Sequence, residues 1–251
     1  MKILALDCSA ISASCAVLDE NKVIASSYAN VKLTHSETLL PMLENTLSAA
    51  KLTLSDIGAL AINSGPGSFT GIRIGISAVK GIAEPKNLPC ASVSTLYSIA
   101  CLHKNFEGVL LAAMDARCNQ VYAALFKIEN GVITRLCEDK AVLVDEMIKE
   151  LDQINDSIIV AGDGAALFSG YAKENSKVKI SNEPNLYQNA IGVAVAAKEI
   201  LDRGEGVSAE ELCPVYLRLP QAERELKAKK GEKLYENYAS SQCFAGITKA
   251  G

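Results

Sequence analysis

The chain has 251 residues, of which 49% are apolar and 22% charged, and its formal net charge is −4 at pH 7. This composition excludes a disordered protein, and the length is enough for one large domain or two smaller ones with cores of their own. The acidic balance argues against a chain that binds nucleic acid strongly by itself, and no run approaches the roughly 18 apolar residues of a membrane helix.

Three short strands are predicted first, over residues 2–8, 13–19 and 22–29. Strands this short, joined by tight turns, are typical of an antiparallel meander. Asp7 interrupts the first apolar run too early for the core of a signal peptide, so we expect a cytoplasmic protein.

A helix is predicted next, over residues 35–52, because leucines recur there at helical spacing. Pro41 either kinks this helix or marks a later start near Thr38. A buried strand over 57–63 and a second helix over 72–84 follow.

The second helix is apolar around most of its circumference. One face carries Ile72, Ile76, Val79 and Ala83, and another carries Ile74, Ala78 and Ile82. A helix that is apolar on all sides must be buried on all sides. The pattern leaves two alternatives open: both faces pack inside the chain's own domain, or one face contacts a second protein.

Gly65, Gly67 and Gly71 lie in the loop before this helix. Backbone N–H groups at a helix start can bind an anion, and the alternative is a tight turn that needs glycine. The glycine spacing matches neither a P-loop nor a dinucleotide-binding fingerprint, and a nucleophile elbow would need serine at the position of Phe69.

The second half repeats the order of the first. After a strand at 88–93 and a helix ending near Leu102, further strands are predicted at 108–114 and 119–128, with a third after a hairpin at 129–131. A helix near 143–152, a strand at 157–161 and a helix near 187–203 complete this half. The repetition predicts an internally duplicated α/β fold, with domains at 1–105 and 106–220 and a charged tail at 221–251.

Residues for catalysis are sparse. The chain has two histidines, His35 and His103, and eight scattered cysteines without a CxxC pair, so no zinc site or histidine-based mechanism is predicted. Asp7 and Asp163 are candidates for holding a metal or a phosphate, or else initiate turns.

Five segments together resemble the TsaB (YeaZ) family. They are ILALD at 3–7, HSETLLP at 35–41, GPGSFTGIR at 65–73, MDAR at 114–117 and PVYLR at 214–218. The resemblance extends from residue 1 to about residue 220. It implies an actin-like (ASKHA) fold of two related lobes, each a mixed β-sheet flanked by helices.

The resemblance also implies a role in making N6-threonylcarbamoyladenosine at position 37 of tRNA. In that machinery TsaD is the catalytic subunit and holds a metal on a histidine pair. The matching positions here are Thr95 and Ile99, which are not ligands of that kind. The implied role is therefore a non-catalytic partner with no metal and no intrinsic cofactor, while ATP, ADP or Mg²⁺ at a subunit interface is left open.

The implied partners are a TsaD-type subunit, a TsaE-type ATPase and, when the chain is alone, a second copy of it, with tRNA contacted only indirectly. The candidate partner-binding residues are Leu39, Leu43, Leu47, Gly71, Ile72, Gly75, Ile76 and Val79. Asp7, Gly65, Gly67 and Asp163 are the candidates for binding a nucleotide or an anion. One alternative is a Mg²⁺-dependent phosphohydrolase of the same fold, using Asp7 and Asp163. Another is a metallopeptidase, against which the missing ligands argue.

Overall fold

The computed structural model describes residues 1–31, 33–182 and 185–218, so the tail predicted at 221–251 lies outside the described residues. The first half forms a five-stranded sheet. Its strands are β1 (Lys2–Asp7), β2 (Ala13–Asp19), β3 (Lys22–Ala29), β4 (Ala59–Gly65) and β5 (Cys90–Ser94). The order is β3-β2-β1-β4-β5, with β1 to β3 antiparallel and β4 and β5 parallel to β1. This confirms the predicted meander.

The second sheet repeats this topology. Its strands are β6 (Gly108–Arg117), β7 (Gln120–Glu129), β8 (Val132–Arg135), β9 (Lys140–Leu143), β10 (Ile158–Ala161) and β11 (Val178–Ile180). The order β8-β7-β6-β10-β11 and the strand directions match those of the first sheet, and β9 pairs with β7. The predicted duplicated α/β arrangement of the actin-like fold is confirmed.

Six α-helices among the described residues complete five layers. They are α1 (His35–Ala49), α2 (Phe69–Ala83), α3 (Thr95–Cys101), α4 (Val144–Asp152), α5 (Ser169–Glu174) and α6 (Ala190–Asp202). Helices α1 and α2 cover the outer side of the first sheet, α6 and α3 pack between the two sheets, and α4 and α5 cover the outer side of the second. No helix in the described ranges is long and apolar enough to cross a membrane.

Helix α6 packs on the first sheet although it follows the whole second sheet along the chain. The residues after it also return there: Val207 forms a bridge with Cys90 in β5, and Leu212 joins the core beneath α2. The division of the chain at residues 105 and 106 stays a prediction.

Three local features differ from the sequence predictions. Pro41 lies inside α1 and is exposed, so the later start near Thr38 is wrong and the kink stays a prediction, and solvent can reach the carbonyl that proline's missing N–H leaves unpaired. Strand β6 continues through the predicted turn at 115–117, and the chain reverses instead over Arg117, Cys118 and Asn119, all with positive φ. The short elements β9, α5 and β11 were not predicted, because three to six residues carry too little periodicity.

Candidate functional site

A cleft of about 730 Å³ lies between the two halves, beside the carboxyl ends of β1 and β4. The first half contributes Ser9, Ala10, Ile11, Ser12, Asn30, Gly67, Ser68, Phe69 and Arg73 to its walls. The second half contributes Met114, Asp115, Ala116, Arg117, Tyr122, Asp163, Tyr187 and Gln188. Both polar and apolar side chains therefore face the same space.

Asp7 is fully buried at the end of β1. Its Oδ1 accepts hydrogen bonds from the backbone N–H of Ser9 (3.2 Å), the hydroxyl of Ser9 (2.7 Å) and the side-chain amide of Asn63 (2.8 Å). Its Oδ2 is buried and has no partner. Burial raises the pKa of Asp7, and the bonds from Ser9 and Asn63 only partly oppose this shift.

Asp163 lines the cleft, and its Oδ1 accepts a 3.4 Å hydrogen bond from the backbone N–H of Asp115. Burial raises the pKa of Asp163 to about 6, and the charges of Asp115 and Asp7 contribute in the same direction. The charge of Asp7 thus reaches Asp163, although Asp7 is not among the residues that line the cleft. Gln188, whose buried amide has no partner on either atom, also lines the cleft. No sequence pattern marked it.

Replacing Asp163 with asparagine is expected to stabilise the protein at neutral pH. The pKa of Asp163 is raised from 3.8 to about 6 in the folded state. Between these two pH values the folded state therefore holds a proton that the unfolded state has lost. Stability contributed by this group is therefore present near pH 4 and is lost as pH rises through about 6. We expect Asp163→Asn to raise the free energy of unfolding near pH 7 by about 1–3 kcal/mol, with no gain near pH 4. Urea unfolding at both pH values measures this, and an equal change at both would contradict it.

The glycines of the loop before α2 make room for other parts of the same chain. A Cβ added at Gly65 would lie 2.1 Å from the carbonyl oxygen of Val215, and one at Gly67 would lie 2.4 Å from that of Ser9. The hydroxyl of Ser68 accepts a 3.2 Å hydrogen bond from the N–H of Gly71 and so caps α2. These contacts account for the glycines without a ligand, and anion binding at Gly65 and Gly67 stays a prediction.

The predicted partner-binding residues lie in the core beneath α1 and α2. Their exposed fractions are 1% for Leu39, 3% for Leu43, 6% for Leu47, 0% for Ile72, 5% for Ile76 and 0% for Val79. A Cβ added at Gly71 would lie 2.0 Å from the carbonyl oxygen of Cys8, and one at Gly75 would lie 2.4 Å from its Sγ. All eight residues therefore pack against the chain's own fold, and their part in binding a partner stays a prediction.

Another side of α2 is partly accessible. Ile74, Ala78 and Ile82, spaced by four residues, are half-buried and form one stripe, which we call the outer stripe. The exposed residues Ser77 and Gly81 are on the same helix, and a Cβ added at Gly81 would meet no atom within 4 Å. On α1, Leu40 is 50% exposed. Ile74, Ala78 and Ile82 also pack partly against the core beneath α2, so the outer stripe is only partly accessible, whereas Leu40 is exposed.

Both histidines make hydrogen bonds within the fold. Nε2 of His35 lies 2.7 Å from the carbonyl oxygen of Ala10. His103 is buried, with Nδ1 2.9 Å from the carbonyl oxygen of Ile99 and Nε2 2.8 Å from the hydroxyl of Ser181. Thr95 and Ile99, on α3, are fully buried. Within the part of the chain that the structure describes, no three His, Cys, Asp or Glu residues form a group that could hold a metal ion.

A family model and two curated relatives, all named for the threonylcarbamoyl modification of tRNA, match this chain over most of its length. Residues 23–226 match a family model described as TsaD: tRNA N6-adenosine threonylcarbamoyltransferase. The tRNA threonylcarbamoyladenosine biosynthesis protein TsaB of Escherichia coli K12 is 34% identical, over 91% of this chain and 100% of that protein. TsaB of Bacillus subtilis 168 is 28% identical, over 89% of this chain and 96% of that protein.

Two solved structures that carry the YeaZ name in their descriptions are also similar to this chain. A Pseudomonas aeruginosa crystal structure, described as an uncharacterized protein with similarity to peptidase YeaZ, has a TM-score of 0.74 at 31% identity. A structure described as YeaZ from the same organism has a TM-score of 0.70 at 30% identity. In both comparisons 86% of this chain and 99% of the other are covered.

Proposed function

This chain belongs to the TsaB (YeaZ) family of tRNA threonylcarbamoyladenosine biosynthesis proteins, and we propose that it acts there as a non-catalytic subunit that binds and supports a TsaD-type catalytic subunit. A role in tRNA threonylcarbamoyladenosine biosynthesis follows from relatives that match this chain over most of their length. The pairing and the supporting role are the proposal.

The outer stripe of α2 is the observation that carries this proposal. A helix on the outermost layer of a protein that works alone normally turns a polar face to water. Here Ile74, Ala78 and Ile82 follow one another along the edge of that face, where they are partly accessible, and the exposed small residues Ser77 and Gly81 beside them leave room for close approach. An ordinary interface buries about 800 Å² on each partner, which the α1–α2 layer has the length to supply.

The family resemblance supplies the rest of the proposed assembly. A TsaE-type ATPase joins the pair, tRNA is contacted only through the partners, and the assembly works in the cytoplasm. When no TsaD-type subunit is present, a second copy of this chain covers the same layer. The chain itself needs no intrinsic cofactor in this proposal, and ATP, ADP or Mg²⁺ would bind at a subunit interface.

Co-purification tests the pairing directly. The full-length chain is mixed with a TsaD-type protein from the same source and passed through size exclusion with light scattering. We expect one new peak with the summed mass of the two chains, and t6A formation by the complete assembly but not by this chain alone. Two separate peaks, or t6A formed by this chain without a TsaD-type protein, would contradict the proposal.

The cleft favours a second candidate, a Mg²⁺-dependent nucleotide phosphohydrolase. Asp163, which lines the cleft, and Asp7, which is buried beyond the cleft lining with an unpartnered Oδ2, are the residues that would hold a hydrated Mg²⁺ and its nucleotide. The discriminating measurement is ATP hydrolysis by the isolated chain. ATP hydrolysis that disappears in Asp7→Asn would support this candidate. If the isolated chain does not hydrolyse ATP, this candidate is wrong and the proposed pairing with a TsaD-type subunit stands.

A further inference from the structure

Residues 214–218 contact both sides of the cleft. The motif PVYLR at this position contributed to the family resemblance, but partner binding on α2 does not use it. The segment follows the return of the chain to the first sheet at Val207 and Leu212. None of its residues lines the cleft, so it runs outside the cleft walls and does not fill the space between them.

Three contacts attach the segment to the first half. The N–H of Val215 donates a 2.7 Å hydrogen bond to the carbonyl of Ser64, at the end of β4. The ring of Tyr216 stacks on Phe69, with 4.2 Å between centroids and 11° between planes. Nε of Arg73 donates a 2.6 Å hydrogen bond to the hydroxyl of Tyr216. Phe69 and Arg73 belong to the first wall of the cleft.

The next two residues attach the segment to the second half. Leu217 packs against the core formed by α3 and the inner face of the second sheet. The guanidinium of Arg218 donates a 2.6 Å hydrogen bond to the carbonyl of Ala116. Ala116 belongs to the second wall of the cleft.

We propose that residues 214–218 form a clasp that fixes the distance between the two walls of the cleft. One end is anchored by a backbone hydrogen bond and a stacked ring pair, and the other by a charged hydrogen bond and an apolar contact. Five residues cannot stretch to follow a hinge motion of the walls, so the cleft can widen only if one end of the clasp detaches.

Another polar link joins the halves away from the cleft. The hydroxyl of Ser94 donates a 2.6 Å hydrogen bond to the carboxylate of Asp139, which also forms an ion pair with Arg135. None of these three residues lines the cleft. Of these two polar links, the clasp is the one that touches both cleft walls, and releasing it is expected to leave the halves joined through Ser94 and Asp139 while the cleft opens.

Spin-label distances across the cleft test the clasp. One label is placed on the exposed native Cys118, at the turn between β6 and β7, and the other on Asn30→Cys, at the rim of the first half. Cys137, Cys213 and Cys243 are replaced by serine in every sample. We expect one narrow distance distribution in the parent protein, and a broader distribution with a longer mean in Tyr216→Ala/Arg218→Ala.

Two further variants separate the clasp from general effects. Arg203→Ala removes the same charge from an exposed surface pair with Glu205 and is expected to reproduce the parent distribution. Arg218→Ala alone is expected to broaden the distribution, and it keeps the test decisive if the double variant does not fold. Distributions in folded clasp variants that superimpose on the parent would overturn the proposal.

Discussion

Gly71→Ala is expected to destabilise the protein by at least about 3 kcal/mol, because the added methyl group has no space. Its Cβ would lie 2.0 Å from the carbonyl oxygen of Cys8 and 3.0 Å from Cδ2 of His35. The carbonyl belongs to backbone directly after β1, next to the fully buried Asp7, so it cannot retreat without disturbing the hydrogen bonds of that carboxylate. Urea unfolding monitored by circular dichroism measures the loss.

Gly81→Ala in the same helix is the matched control. A Cβ there would meet no atom within 4 Å, and Gly81 is exposed. Alanine inside a helix is favoured over glycine, so this variant is expected to gain about 0.5–1 kcal/mol. If Gly71→Ala and Gly81→Ala lower the free energy of unfolding equally, the close contact with Cys8 is not the cause of the loss in Gly71→Ala.

Ala78→Arg is expected to weaken binding to a TsaD-type subunit by at least about 30-fold, which corresponds to roughly 2 kcal/mol. Ala78 lies in the middle of the outer stripe and is half-buried. In the free chain the new guanidinium can extend into water from this partly accessible position, so we expect only a modest loss in the free energy of unfolding, which arises because Ala78 also packs against the core beneath α2. In the complex the charge would be buried against an apolar surface without a partner. Titration calorimetry measures the affinity.

Ala166→Arg makes the same substitution at an exposed position in the second half and is expected to leave the affinity unchanged. If Ala78→Arg is folded and binds the TsaD-type subunit as tightly as the parent, the outer stripe is not part of the interface. Gly75 is unsuitable for this test. A bulky residue there would collide with the Sγ of Cys8 and with Ile62, at 2.4 and 2.8 Å from the Cβ, so lost pairing would reflect lost stability.

Hydrophobic periodicity predicted most of the fold but not the orientation of α2. Its two apolar faces differ little in composition, and spacing alone does not say which one meets the sheet. The glycines carried a signal, since Gly71 and Gly75 are four residues apart and mark a side of close approach. That signal does not say whether the approaching group belongs to the same chain, and here it is Cys8.

The parts of the cleft that were not predicted depend on contacts between residues distant in sequence. Gly65 needs to be glycine because Val215 passes over it, 150 positions later in the chain. Gln188 lines the cleft from the segment directly before α6. Asp7 was recognisable as an acid at the end of a strand and Asp163 as an acid in a glycine turn, but the effect of one charge on the other depends on the duplicated topology.

The packing of α6 has a consequence for synthesis on the ribosome. The inner face of the first sheet, which includes Ile3, Ala5 and Ala91, is covered by Val193, Ala194 and Ala197. These residues leave the exit tunnel only after the whole second sheet has been translated. Until then the nascent first half carries an open apolar surface, which is a target for chaperones, and its core is completed only near the end of translation.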